Sequence, residues 1–76
     1  GGETSFSAKT VNELLDSLIE ENPELKDKIF ERPSERKLKG SINIFVNGRR
    51  MDSLNGFNTK LEDGDKVVFF PPVGGG

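Results

Sequence analysis

The run Lys66-Val67-Val68-Phe69-Phe70 is β-prone, and it is cut off by Pro71-Pro72, then Val73 and Gly74-Gly75-Gly76. Each proline lacks an amide donor and fixes its own φ, so neither continues a central sheet ladder. A run apolar on both faces reads as a strand well inside a sheet, with both faces partly covered. The fold must therefore hold this strand and release the chain immediately after it. The glycines bury nothing and lose much conformational freedom when ordered. What they supply is a thin terminus with a free carboxylate, able to thread a channel in which any Cβ would clash. That makes the α-carboxyl of Gly76 the candidate reactive group. The competing explanation is an ordinary frayed end or a cloning scar, and the upstream sequence has to decide between them.

Seventy-six residues make one domain. A chain of this size buries only about 60% of the surface that its unfolded form exposes. Cysteine is absent, which excludes a disulfide, a zinc-thiolate site and a catalytic thiol; histidine is absent too, which removes the commonest general base and transition-metal ligand. An enzyme would have to work with carboxylates, lysines or hydroxyls, so composition favours a binding, carrier or interaction protein. Eleven basic residues stand against thirteen acidic ones, a net charge of -2. That balance argues against direct nucleic-acid binding, which needs concentrated positive charge. No apolar run approaches the roughly 20 residues that cross a bilayer, and no signal-peptide core is present. No membrane association is expected, and the expected location is cytoplasmic.

Along the chain, residues 3–8 alternate Thr4, Phe6 and Ala8 against Glu3, Ser5 and Ser7, which predicts a short strand. Thr10-Val11-Asn12-Glu13 is a capping box: the Thr10 hydroxyl accepts from the Glu13 amide, and the Glu13 side chain reaches back to the Thr10 amide. Val11, Leu14, Leu15, Leu18 and Ile19 then form one apolar helical stripe, read as core, with the helix ending near Asn22 before Pro23. Pro23 suits the first position of a second, short helix in which Leu25, Ile29 and Phe30 share a face. Residues 31–39 mix both charge signs and read as a solvated loop; Arg32, Arg36, Lys37 and Lys39 are available to phosphate or an acidic partner, but a solvated face is the simpler reading. Ile42, Ile44 and Val46 alternate with Asn43 and Phe45 and lead into Asn47-Gly48, a type I′ hairpin signal. Arg49-Arg50-Met51 begins the return strand, residues 52–59 are turn-rich, and residues 61–65 form a tight turn. The predicted class is α+β, with one main helix packed on one face of a mixed sheet.

In this order the pieces resemble the ubiquitin-like β-grasp sulfur-carrier family, in its branch of molybdopterin-synthase small subunits and archaeal small modifier proteins. The residues that carry the resemblance are Thr10-Val11 through Leu18, Asn22-Pro23-Glu24-Leu25, Ile42-Asn43-Ile44-Phe45-Val46-Asn47-Gly48, Leu61-x-Asp63-Gly64-Asp65-x-Val67 and the ending from Phe69 to Gly76. Each internal piece is weak; the ordered set with its Pro-Pro-Val-Gly-Gly-Gly ending is specific. The double proline favours this branch over the thiamin-pathway carriers. The resemblance implies a β-grasp domain over residues 1–73, whose usual opening strand is expected to be missing, and a flexible diglycine-type tail over residues 74–76. The expected consequence of the missing strand is that the chain closes the gap by direct pairing or recruits a strand from a second copy.

The resemblance further implies a carrier or modifier rather than a catalyst. An E1-like adenylating enzyme would activate Gly76, with ATP and magnesium belonging to that enzyme and no cofactor bound by this chain. Sulfur transfer would give a thiocarboxylate for a sulfur-acceptor enzyme in molybdopterin or tRNA sulfuration; attack by a target-protein lysine would give an isopeptide bond. Gly75 and Gly74 would provide clearance, while Phe70, Pro71, Pro72 and Val73 would form the partner-binding surface. Core burial is the competing explanation for Phe70. Phe45 and Phe57 are weaker surface candidates, and Arg49 and Arg50 read as a solvated hairpin end. Two other classes stay open: an interaction module with an inert tail, and a small enzyme on the acidic helix face, which the lack of His and Cys disfavours.

Overall fold

A computed structural model of the chain describes residues 8–71. The predicted strand over residues 3–8 and the tail from Pro72 onward therefore lie outside the described residues, apart from Ala8. Helix α1 spans Val11–Glu21 and starts where the capping signal places it, with the Glu13 amide donating to Thr10 Oγ1 at 3.2 Å. The return arm of the box differs: Glu13 Oε1 accepts from the Lys9 amide at 3.4 Å, one residue earlier than expected. The helix closes at Asn22, whose amide donates to the Leu18 carbonyl at 2.9 Å. Val11, Leu14 and Leu15 are buried, and Leu18 and Ile19 pack half-buried against the core.

Helix α2, Leu25–Ile29, buries Leu25 and Ile29. Phe30 is buried as expected but is the first residue of a strand, so residues 31–39 are not the loop that the sequence suggests. Strand β1, Phe30–Arg32, pairs antiparallel with β2, Lys37–Leu38, across a 3-10 turn at Pro33–Glu35. Arg36 completes the reversal at φ 54, a left-handed value that its side-chain type does not advertise. Strands this short with mostly exposed charged positions carry little periodic signal, which is why composition alone reads them as solvated loop.

Strand β3, Asn43–Val46, is central to the second sheet, flanked by β4, Arg49–Arg50, and β5, Val67–Phe70. Asn47 at φ 52 and Gly48 at φ 82 form the turn between β3 and β4 with both central residues left-handed, as the Asn-Gly signal predicts. Residues directly opposite in an antiparallel pair share a face. The pairs Ile44↔Phe69 and Val46↔Val67 therefore point inward, where Ile44 and Val46 are buried against Leu15, Ile29 and Met51. The pairs Phe45↔Val68 and Asn43↔Phe70 point outward. All strand pairs among the described residues are antiparallel, and β5 has β3 as its one strand neighbour there. The two faces of β5 are covered unequally: Val67 and Phe69 pack against the core, while Val68 is 53% and Phe70 64% exposed on the outer face.

The return to α1 is closed by backbone bonds. Leu61 N donates to Lys9 O at 2.8 Å, and Val11 N donates to Thr59 O at 3.1 Å. Thr59, the buried polar residue among those described, is satisfied locally: its hydroxyl donates to Gly56 O at 2.7 Å and accepts from Asn55 N at 3.0 Å.

Leu15 is fully buried, so Leu15→Ala is expected to cost about 2–5 kcal/mol, whereas Val68→Ala on the open face should change stability by no more than about 0.5 kcal/mol. Urea denaturation of the two variants beside the parent checks both values.

Candidate functional site: the sheet face that leads into the tail

Strand β5 carries the chain from a fixed start to the point where the prolines begin. At the start, Asn47 N donates to Lys66 O at 2.8 Å. The Asn47 side chain also binds there: its Oδ1 accepts from Lys66 N, and its Nδ2 donates to Asp65 Oδ1, each at 3.0 Å. Asp65 Oδ2 accepts from the Glu62 amide at 2.8 Å, closing the turn that the sequence places at residues 61–65. These bonds hold the Asp65 carboxyl below the ordinary aspartate range, the Glu62 amide first and the Asn47 amide second, with a small opposing effect of burial. The hairpin turn and the turn before β5 are thus clasped by two side chains that local sequence patterns place in separate motifs.

At its end, β5 is paired through its last residue, Asn43↔Phe70, and Pro71 follows at an exposed bend after a cis Phe70–Pro71 bond. Phe70, Val68 and the half-buried Phe45 make a contiguous apolar surface on the outer face, bordered by Arg50, which lies opposite Phe45. The competing explanation of Phe70 as core is therefore overturned. Phe57, by contrast, packs against the core and lies 6.3 Å from the Phe30 ring centroid, so it does not belong to this surface. Arg49 and Arg50 are exposed at the hairpin end, as expected, and Arg50 pairs with Asp52 at 3.4 Å. Of the sequence-predicted site residues, Phe70 and Pro71 are brought together here; Pro72, Val73, Gly74, Gly75 and Gly76 lie outside the described residues.

Among the described residues no group of three His, Cys, Asp or Glu side chains is arranged to hold a metal ion, and no helix is long and apolar enough to cross a membrane. The outer face carries its apolar patch, Phe45, Val68 and Phe70, beside the exposed Pro71.

The sequence model of the ThiS family matches residues 3–76. The chain belongs to the ThiS family. The ThiS-family chain is 40% identical over 67 residues to small archaeal modifier protein 3 of Haloferax volcanii, covering 88% of this chain and 70% of that protein. The solution structure of small archaeal modifier protein 1 from Methanosarcina acetivorans superposes with a TM-score of 0.71 at 41% identity, over 91% of this chain and 74% of that one. A chain of the BexX/CysO complex of Amycolatopsis orientalis gives a TM-score of 0.76 at 29% identity, over 100% of this chain and 84% of that one. The α+β, β-grasp class stands, and with it the ubiquitin-like sulfur-carrier and small-modifier type.

The Asp65 carboxylate is stabilised by bonds made in the folded state, so its folded pKa is depressed. Its contribution to stability is present above the unfolded aspartate value and is lost as pH falls through the folded one. NMR titration of the Asp65 carboxyl is expected to give a midpoint below the ordinary aspartate range, and Asn47→Ala, which removes one of its two donors, should move that midpoint back up.

Proposed function

We propose that this ThiS-family chain carries its chemistry on the carboxylate of Gly76 and takes its catalysis from a partner. An E1-like adenylating enzyme docks on the outer face of the sheet and draws in the tail. A Gly76 carboxylate oxygen attacks the α-phosphate of the ATP that this enzyme holds with magnesium, and pyrophosphate leaves. The carboxyl is then an acyl-adenylate. A sulfide-level nucleophile attacks its carbonyl carbon and AMP departs with the bonding electron pair, leaving a C-terminal thiocarboxylate for a sulfur-acceptor enzyme. If a target-protein lysine amine attacks instead and loses a proton, AMP leaves and an isopeptide bond forms. The chain itself is not a catalyst, and the reaction belongs to the cytoplasm, where ATP is supplied.

The observation that carries this reading is the β3–β5 ladder, complete to the residue before Pro71 and flanked by exposed Phe70 and Val68. A partner seated on that patch contacts the strand from which the tail leaves, so docking and threading are coupled through rigid backbone. Gly75 and Gly76 keep Cβ atoms out of the nucleotide channel, Gly74 extends the clearance, and Pro72 and Val73 continue the contact surface.

Incubation with a family E1-like enzyme, Mg-ATP and sulfide is expected to raise the intact mass by the exchange of one oxygen for sulfur. Deleting Gly75-Gly76 should abolish the gain. Phe70→Glu should leave the melting transition nearly unchanged, since the side chain is 64% exposed, while raising KM for the enzyme about tenfold or more. A parent protein that stays unmodified while another family member reacts in parallel would support a docking module with an inert tail.

A further inference from the structure

The β1–β2 hairpin, which the sequence hides, builds one wall of an open groove of about 640 Å³ whose other wall is the start of β3 and the segment after β4. Five cationic side chains line it, Arg32, Arg36, Lys37, Lys39 and Arg50, against two carboxylates, Glu35 and Asp52. The chain as a whole carries a net charge of -2, so this excess of positive charge is local. Leu38, Ile42, Met51 and Phe57 supply an apolar floor between the charged rims.

The cations are loosely held. Arg32 pairs with Glu35 at 3.3 Å, Lys37 with Glu31 at 3.9 Å and Arg50 with Asp52 at 3.4 Å, all between side chains more than half exposed. Lys39 has no carboxylate partner among the described residues. Exposed pairs of this kind are weak, so an incoming carboxylate can replace the resident one at little cost. Arg36 is the fixed member: it hydrogen-bonds Asp16 and lies with its guanidinium carbon 5.3 Å from the centroid of the Phe30 ring.

We infer that this groove binds an acidic segment of a partner protein, its carboxylates on the cationic rims and one apolar side chain on the floor. A single-stranded nucleic acid fits less well. Such binding relies on open aromatic faces for base stacking. Here Phe30 is 2% exposed beneath Arg36, which leaves the half-buried Phe57 as the one aromatic ring open to the groove among the described residues, with no second ring to stack a neighbouring base. The groove is separate from the tail chemistry proposed above and borders the outer face through Asn43 and Arg50.

The test uses the whole chain and a fluorescein-labelled peptide of Glu and Asp around one leucine, with an oligouridylate of equal charge as competitor, at about 0.15 M salt. Saturable peptide binding is expected, with amide shift changes centred on Leu38, Ile42 and Met51. Lys39→Glu with Arg50→Glu should weaken it about tenfold or more, by placing like charges against the peptide. Lys28→Glu, on α2 and outside the groove, should not. The same double variant should bind the charge-inverted Lys/Arg peptide, which shows that it is folded. No saturable binding, shifts centred elsewhere, equal loss in Lys28→Glu, or tighter binding of the oligouridylate would each overturn the inference. None of these readings depends on whether Gly76 is activated.

Discussion

The pairing of β3 with β5 is the constraint on which the rest of the molecule rests. Four consecutive pairs, from Asn43↔Phe70 to Val46↔Val67, decide which side chains enter the core and which face solvent. Because side chains alternate with a period of two, a slip of one residue would turn Phe69 and Val67 outward and drive Phe70 and Val68 into the space they leave. Both faces of β5 are apolar, so hydrophobicity alone does not choose between the registers. The choice is made at the strand ends instead. The left-handed Asn47-Gly48 turn fixes β3 against β4, and the Asn47 side chain binds Asp65 and Lys66, fixing β5 against β3. Asn47 therefore serves both pairings at once.

How much of this was legible in the sequence follows from how local each signal is. Helix α1 was legible because its cap, period and proline stop all lie within one window, and the Asn-Gly hairpin because two residues dictate its geometry. The β1–β2 hairpin was not. Its turn depends on Arg36 at a positive φ, and its strands offer one buried residue, Phe30, which the helical period of Leu25 and Ile29 claims equally well. The position of β5 was half legible. That Val67–Phe70 is a strand follows from composition, but which neighbours it has is a matter of topology, and the same two-faced apolar pattern serves a covered strand and a docking face alike.

The same ambiguity explains why the candidate site was only partly visible. The glycine ending pointed to Gly76, and the family pattern pointed to Phe70, but burial and partner contact ask for the same residue type. Exposure separates them: Phe70 at 64% and Val68 at 53% are unusual for large apolar side chains on a well-paired strand, while Ile44, one strand away on the other face, is 2% exposed. The division follows from the ladder: its inward side chains join the core that holds β3 and β5 together, and its outward apolar side chains are left exposed.

The outer face and the cationic groove are adjacent, and that adjacency has a thermodynamic consequence. Arg50 stands opposite Phe45 on the outer face and also lines the groove, and Asn43 does the same beside Phe70. A partner on the apolar face that draws Arg50 away from Asp52 changes the charge available to a segment in the groove, and a segment that engages Arg50 changes the rim that the first partner meets. Coupling between two binding events is reciprocal, whichever occupant comes first. Its sign depends on charge. An acidic partner edge at Arg50 competes with the groove's occupant, while an apolar one that merely excludes water strengthens the remaining ion pairs by lowering the local dielectric. Arg50 of the short β4 strand is thus shared by the outer face and the groove.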